Sequence, residues 1–177
     1  MGRDMRAEAF WRTVVADQSD FLSRVIELLT KHAIRYCVIG GQGVNAYAEP
    51  VVSLDLDIAI AVDQLSEAED LLSQEFRVQR FPHGLNVSAA GSDLRIQIQT
   101  DPRYGAFLAG AKVRDILGLR LPVASVEDML QGKIWAVLDA GRRASKRQKD
   151  LPDIARLLEA YPDLRSRVPE EILARLV

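Results

Sequence analysis

Asp55 and Asp57, two residues apart in SLDLDIAIAV, are the side chains of this chain best spaced to act together. Leu54, Leu56, Ile58 and Ile60 alternate there with Asp55, Asp57, Ala59 and Ala61. This is the period-two pattern of a strand, so both carboxylates project from one face. Side by side they suit a divalent cation such as Mg²⁺, which prefers oxygen ligands and keeps places for water or substrate phosphate. Without a cation two like charges at that separation repel, and a bound ion is the simplest compensation. Upstream, Gly40 and Gly41 close the apolar run Tyr36 to Ile39, and Gln42 follows. A glycine turn lets backbone N–H groups approach phosphate oxygens, and a helix start adds its dipole. Each motif alone has a plainer reading, a simple turn and a solvated strand face. In this order and spacing they make a cradle for a triphosphate and its metal.

The surrounding elements follow from periodicity. Phe21, Val25, Leu28 and Leu29 recur at helical spacing after Ser19 and Asp20, and that helix ends near His32. Tyr36 to Ile39 reads as a buried strand, and a brief helix carrying Val44 and Tyr47 follows, stopped by Pro50. Beyond the carboxylate strand, QLSEAEDLLSQEF is an amphipathic helix with Leu65, Ala68, Leu71, Leu72 and Phe76 on its apolar side. Leu85 to Ala89 and Leu94 to Gln99 read as strands, and Val113 to Ala124 as extended chain turning at Gly118. From Ser125 the pattern becomes helical: SVEDMLQGKIWAVLDA with a capping-box-like start, then KDLPDIARLLEAY, then PEEILARLV. The expected fold is α+β (α/β), a mixed sheet flanked by helices with a helical C-terminal portion. The expected division is a core over residues 1–124 and a helical segment over 125–177 packed on it.

On these residues the chain resembles the nucleotidyltransferase superfamily, whose signature is a Gly-Gly or Gly-Ser turn followed by an Asp-x-Asp strand; IGGQGVNAYAEPVVSLDLDIAIAV matches it over Ile39 to Val62. GKIWAVLDAGRRASKRQKDLPDIARLLEAYPDL narrows the resemblance to the AbiEii-like group of abortive-infection toxins, with Lys133, Lys149, Asp150 and Asp153 at matching places. The resemblance implies an Mg²⁺-dependent transfer of a nucleoside monophosphate from an NTP to a hydroxyl of an RNA (tRNA) or protein acceptor. It also implies a toxin paired with an antitoxin protein. Asp55 and Asp57 would hold the metal, and Gly40, Gly41 and Gln42 would cradle phosphates. Lys133 and Lys149 would neutralise them, and Asp150 and Asp153 would position them or secure the helix. As ordinary helix-surface pairs, Lys149 with Asp153 and Lys146 with Asp150 are also four residues apart. GRRASKRQK is the strongest local positive patch in the chain and suits a triphosphate or an RNA end.

One position departs from the pattern. Active relatives add a third carboxylate on a neighbouring strand, and in DLRIQIQTD the matching residue is Gln97. An amide oxygen can coordinate a cation but brings no negative charge and is no base at neutral pH. Metal affinity and rate should both suffer unless Asp93 or Asp101 substitutes. A catalytically impaired nucleotide-binding or regulatory module on the same fold is therefore the alternative reading, with a protein-interaction domain as a third.

Composition sets the outer bounds. At 177 residues and 48% hydrophobic, the chain suits one core plus a small appendage, without disulfides or a structural metal. A net charge of −2 gives no global attraction to polyanions or membranes. Cys37, the single cysteine, lies in an apolar run and reads as a core residue in a reducing compartment. MGRDMRAEAFWRTVV has charges throughout, so neither a signal peptide nor a spanning helix is expected, and the location expected is the cytoplasm. His32 and His83 lack partners at ligand spacing.

Overall fold

Apolar residues at period 3.6 and period 2 must each find a face to cover, and here both faces of one sheet are used. The computed structural model describes residues 20–176. The expectations for the N-terminal stretch and for a helix start at Ser19 lie outside the described residues. Helix α1 (residues 20–31) leads to β1 (Tyr36–Ile39), α2 (Gly40–Asn45) and β2 (Asp55–Ile60). Then come α3 (Leu65–Glu75), β3 (Arg77–Phe81), β4 (Gly84–Ser88) and β5 (Arg95–Gln99). A 3₁₀ segment (Pro102–Gly110) precedes β6 (Lys112–Ile116), β7 (Leu119–Val123), α4 (Val126–Leu138), α5 (Ala144–Ala160) and α6 (Glu170–Leu173).

The strands form one mixed sheet in the order β3-β4-β5-β2-β1-β7-β6. β2 lies at its centre, antiparallel to β1 and parallel to β5. On one face Leu56, Ile58, Ile60, Ile96 and Ile98 pack under Phe21, Leu22, Val25 and Leu29 of α1 and Ala68 and Leu72 of α3. On the other, Cys37, Ile39 and Ala59 lie under Val44 of α2, Met129, Leu130 and Ile134 of α4, and Ile154 and Leu157 of α5. At roughly 1.5–3 kcal/mol per fully buried large aliphatic side chain, these two layers fix β2 from both sides. Burial pushes the Cys37 thiol up to about 12, with Asp128 adding to the shift, as suits an inert core residue.

The expected strands and helices form, with three differences. β3 reads weakly in sequence because it is an edge strand whose residues are mostly exposed. The segment after Asp101 is not irregular: Asp101 caps it by accepting from the Arg103 N–H at 3.0 Å. Helix α5 begins at Ala144 rather than near Lys149, so the basic stretch forms its first turns and Pro152 sits inside it. Proline favours a first helical turn, which makes the later start the natural sequence reading. Ser125 caps α4 as expected, its hydroxyl accepting from the Asp128 N–H at 3.2 Å.

Candidate active site

The end of β1 and the start of β2 meet because the strands are antiparallel, with Ile39 opposite Asp57. The chain leaves β1 through Gly40, at φ +68°, and a Cβ there would lie 2.0 Å from Asp57 Oδ2. Only glycine allows the turn to approach this carboxylate so closely. Asp55 and Asp57 occupy alternate positions of β2, half-buried, while Leu56 between them is fully buried in the opposite layer. The acids therefore share a face, and Asp57 lies against the glycine turn.

The parallel strand β5 places Arg95 opposite Asp55 and Gln97 opposite Asp57. Arg95 Nε donates to Asp55 Oδ1 at 3.0 Å. Leu94, Ile96 and Ile98 are buried in the other layer, which leaves Gln97 on the aspartate face. Neither aspartate offered as a substitute third acid lies within β5. Asp93 is exposed before β5, and Asp101 is committed to Arg103, whose guanidinium holds its carboxyl below the usual range. Among the described residues no group of three or more His, Cys, Asp or Glu side chains gathers as a metal cluster.

Burial pushes the Asp57 carboxyl up to about 6, with Lys133 and Arg142 opposing the shift and Asp55 and Asp150 reinforcing it. Among the described residues no side chain donates a hydrogen bond to Asp57, so its charge is under-compensated where it sits. Two carboxylates and one amide oxygen on a single sheet face form a hard donor set. Such a set fits Mg²⁺ that retains substrate oxygens.

Behind the turn, α4 and α5 contribute a buried ionic cluster. Lys133 Nζ lies 2.8 Å from both Asp150 Oδ1 and Asp153 Oδ2. Arg142 reaches Asp150 Oδ2 at 2.6 Å, and Arg156 reaches Asp153 Oδ1 at 2.6 Å. Burial works against the Lys133 charge, but Asp150 and Asp153 outweigh it and raise its pKa. Burial also opposes the Asp153 charge, yet Lys133 and Arg156 hold its carboxyl below the ordinary value.

The expectations for these residues change accordingly. The Lys133 ammonium is engaged by two carboxylates instead of being presented to a phosphate. Asp150 is buried with Lys133 and Arg142, while Lys149 is exposed. The surface pairs Lys149 with Asp153 and Lys146 with Asp150 do not form, since both acids face α4 and arginines. Gln42 is also turned inward: its Nε2 donates to the Ser53 carbonyl at 2.9 Å, leaving only its backbone for a phosphate. Arg142 and Arg156 carry no sequence signal as members of the cluster beyond lying near the Lys-Asp motif.

Neither of two nearby concavities is lined by the aspartates. One of about 780 Å³ lies at the far end of β1 and β2, around Tyr36 and Ala61. The other, about 450 Å³, flanks α2 beside Asn45 and Val51.

The sequence model of a family described as nucleotidyl transferase AbiEii toxin, type IV toxin–antitoxin system, matches residues 45–176. The chain belongs to this AbiEii nucleotidyltransferase family. The match takes in Asp55, Asp57, Gln97 and the α4–α5 cluster but begins beyond the glycine turn. No curated protein matches the sequence. Solved structures similar to this AbiEii chain include ANT(2")-Ia in complex with adenylyl-2"-tobramycin, at TM-score 0.61 and 11% identity, covering 90% of this chain and 99% of that one. An antigenic nucleotidyltransferase-like protein from Paracoccidioides brasiliensis matches at TM-score 0.55 and 20% identity, covering 92% and 88%. Lincosamide antibiotic adenylyltransferase LnuA, lincomycin-bound, matches at TM-score 0.51 and 15% identity, covering 77% and 93%. These likenesses show that the AbiEii chain has the nucleotidyltransferase fold. No helix among the described residues is long and apolar enough to cross a membrane.

Proposed function

We propose that the chain transfers a nucleoside monophosphate from an NTP to a hydroxyl of an RNA (tRNA) or protein acceptor, in a reaction that needs Mg²⁺. The observation that carries this reading is the contact between Asp57 and the Gly40 turn, with Gln97 in register across β2 and β5. Asp55 and Asp57 would hold the metal and Gln97 would add a weaker oxygen. Mg²⁺, when bound, neutralises charge on the triphosphate and on the leaving pyrophosphate. The backbone N–H groups of Gly41 and Gln42, at the start of a helix without a side-chain cap, would receive phosphate oxygens. Lys133 and Arg142 partly offset the charge of Asp57, while Asp55 and Asp150 add to it, so a bound cation would be the compensation the site lacks.

Acceptor binding falls to the exposed stripe of Arg143, Lys146 and Lys149, three residues apart along the start of α5. Such spaced cations suit the phosphates of an RNA, and Lys149 would also serve the nucleotide phosphates. The biological setting suggested by family membership is a cytoplasmic toxin controlled by an antitoxin protein. The test is incubation with labelled NTPs, Mg²⁺ and total RNA or protein, in parallel with Asp55→Ala and Asp57→Ala. Label transfer lost in both variants supports the reading.

A second reading has a specific observation in its favour. Gln97 stands at the register position opposite Asp57, where a third carboxylate would assist the attacking hydroxyl. Mg²⁺-dependent NTP binding without transfer to any acceptor would identify a nucleotide-binding or regulatory module on this fold.

A further inference from the structure

The loop that joins the glycine-turn helix α2 to the carboxylate strand β2 is tied down from outside the sheet by one arginine. Arg156 of α5 has a side chain only 14% exposed. Its Nη1 donates to Asn45 Oδ1 at 3.0 Å and to the Glu49 carbonyl, while its Nη2 engages Asp153. Asn45 Oδ1 also accepts from the Val51 N–H at 2.9 Å, and Asn45 Nδ2 donates to the Val51 carbonyl at 2.8 Å and to Gln42 Oε1 at 3.2 Å. Gln42 continues to the Ser53 carbonyl, and Ser53 Oγ accepts from the backbone N–H of Asp55 at 3.2 Å. A series of hydrogen bonds, linked through the residue Ser53, thus runs from α5 to the main chain of a proposed metal ligand. On its other side Arg156 is joined through Asp153 to Lys133. Asp153 Oδ2 itself lies 3.9 Å from where a Cβ of Gly41 would be.

We infer that Arg156 is a positioning residue: it fixes the loop over residues 46–54 and so sets the main chain of Asp55 where β2 begins. The inference rests on the nucleotidyltransferase reading for its effect on catalysis, but its structural half stands on the protein alone. The physical case lies in the shape of the group. A guanidinium presents several donors in a rigid plane, which can grip Asn45 at the end of α2 and the Glu49 carbonyl of the loop while still pairing with Asp153. A lysine keeps the ion pair but cannot reproduce the fork. The Arg156 Nε is buried without a partner, so the side chain keeps this pose although one donor goes unsatisfied. Transfer reactions respond steeply to small misplacement of reacting groups, which turns a loosened loop into a lowered rate.

The test uses the full chain with Arg156→Lys and Asn45→Ala, singly and together, and reads three quantities. Backbone amide exchange in the metal-free protein should show protection lost over residues 46–54 in Arg156→Lys and retained in α3 and β4. Binding of Mg²⁺ with an NTP, and the kcat for label transfer, should each fall about tenfold or more. The double variant should be little worse than the poorer single one, because both break the same series. Unchanged exchange over 46–54 overturns the inference. So does lost protection with wild-type nucleotide binding and kcat, which would make Arg156 a structural tie only. If wild type and Asp57→Ala alike bind no NTP, the functional reading fails, and the exchange experiment still decides whether Arg156 sets the loop.

Discussion

Gly40 shows how much of this site depends on an absent side chain. Alanine there would have to take φ +68° and place its Cβ 2.0 Å from Asp57 Oδ2, whereas at Gly41 the nearest atom would be 3.9 Å away. The left-handed conformation costs a non-glycine residue on the order of 1–2 kcal/mol, and the clash must also push Asp57 aside. Gly40→Ala is therefore expected to lower the melting temperature by several degrees and to abolish Mg²⁺-dependent NTP binding, while Gly41→Ala retains both; calorimetry with and without Mg²⁺ and NTP checks the pair. Asp57 carries a pH signature of its own. Its folded pKa of about 6 lies above the ordinary carboxylate value of 3.8, so the native state takes up a proton more readily than the unfolded chain. The unfolded state then binds fewer protons between those values, and stability falls as pH rises from about 4 to above 6. Asp57→Asn removes this cost, on the order of 3 kcal/mol at most. The variant should melt higher than wild type at pH 7.5, with the gap closing by pH 4, and Mg²⁺ should stabilise only wild type. A variant less stable than wild type at pH 7.5 would contradict this account of the site.

Among the elements, β2 and β5 were legible because alternation alone fixes which residues share a face. Asp55, Asp57 and Gln97 read out of the sequence on one side, and the parallel register confirms Gln97 opposite Asp57. Gln97→Asp should accordingly place a third acid in the site. Tighter Mg²⁺ binding and faster transfer are expected, with lower stability in EDTA, since three carboxylates repel; titration of NTP binding against Mg²⁺ measures the first effect. The helices were less legible, because helical spacing names neighbours on one helix and is silent about the next. Lys149 and Asp153 match the i, i+4 rule, yet Asp153 pairs with Lys133 of α4 and with Arg156. β3 is faint in the sequence for a related reason: an exposed edge strand has no buried face to give it a period. Since Lys133 holds two buried acids, Lys133→Ala leaves them under-compensated and should cost about 3–5 kcal/mol of stability. Chemical denaturation of this variant is the necessary control before any loss of activity is ascribed to nucleotide contacts.

For the whole molecule, the net charge of −2 means that no overall field brings a polyanion to the cleft. Attraction must come from a local surface, and α5 with the turn before it supplies one, in which five basic residues divide between two uses. Arg142 and Arg156 turn inward to Asp150 and Asp153, while Arg143, Lys146 and Lys149 stay exposed and form no ion pair among the described residues. The inward cations pair with largely buried acids, and the outward ones face solvent. An RNA acceptor bound by this stripe releases condensed counterions, so its affinity should fall with salt at a slope of nearly one per phosphate contact on a log–log plot. Arg143→Glu with Lys146→Glu removes two such contacts. The double variant should raise the KM for an RNA acceptor at least tenfold and flatten the salt slope by about two, with the KM for NTP staying within about twofold. Arg143 and Lys146 lie outside the ionic cluster, so folding should be unaffected. If acceptor and NTP constants rise together, the stripe serves the triphosphate instead; if neither changes, the stripe does not bind the acceptor.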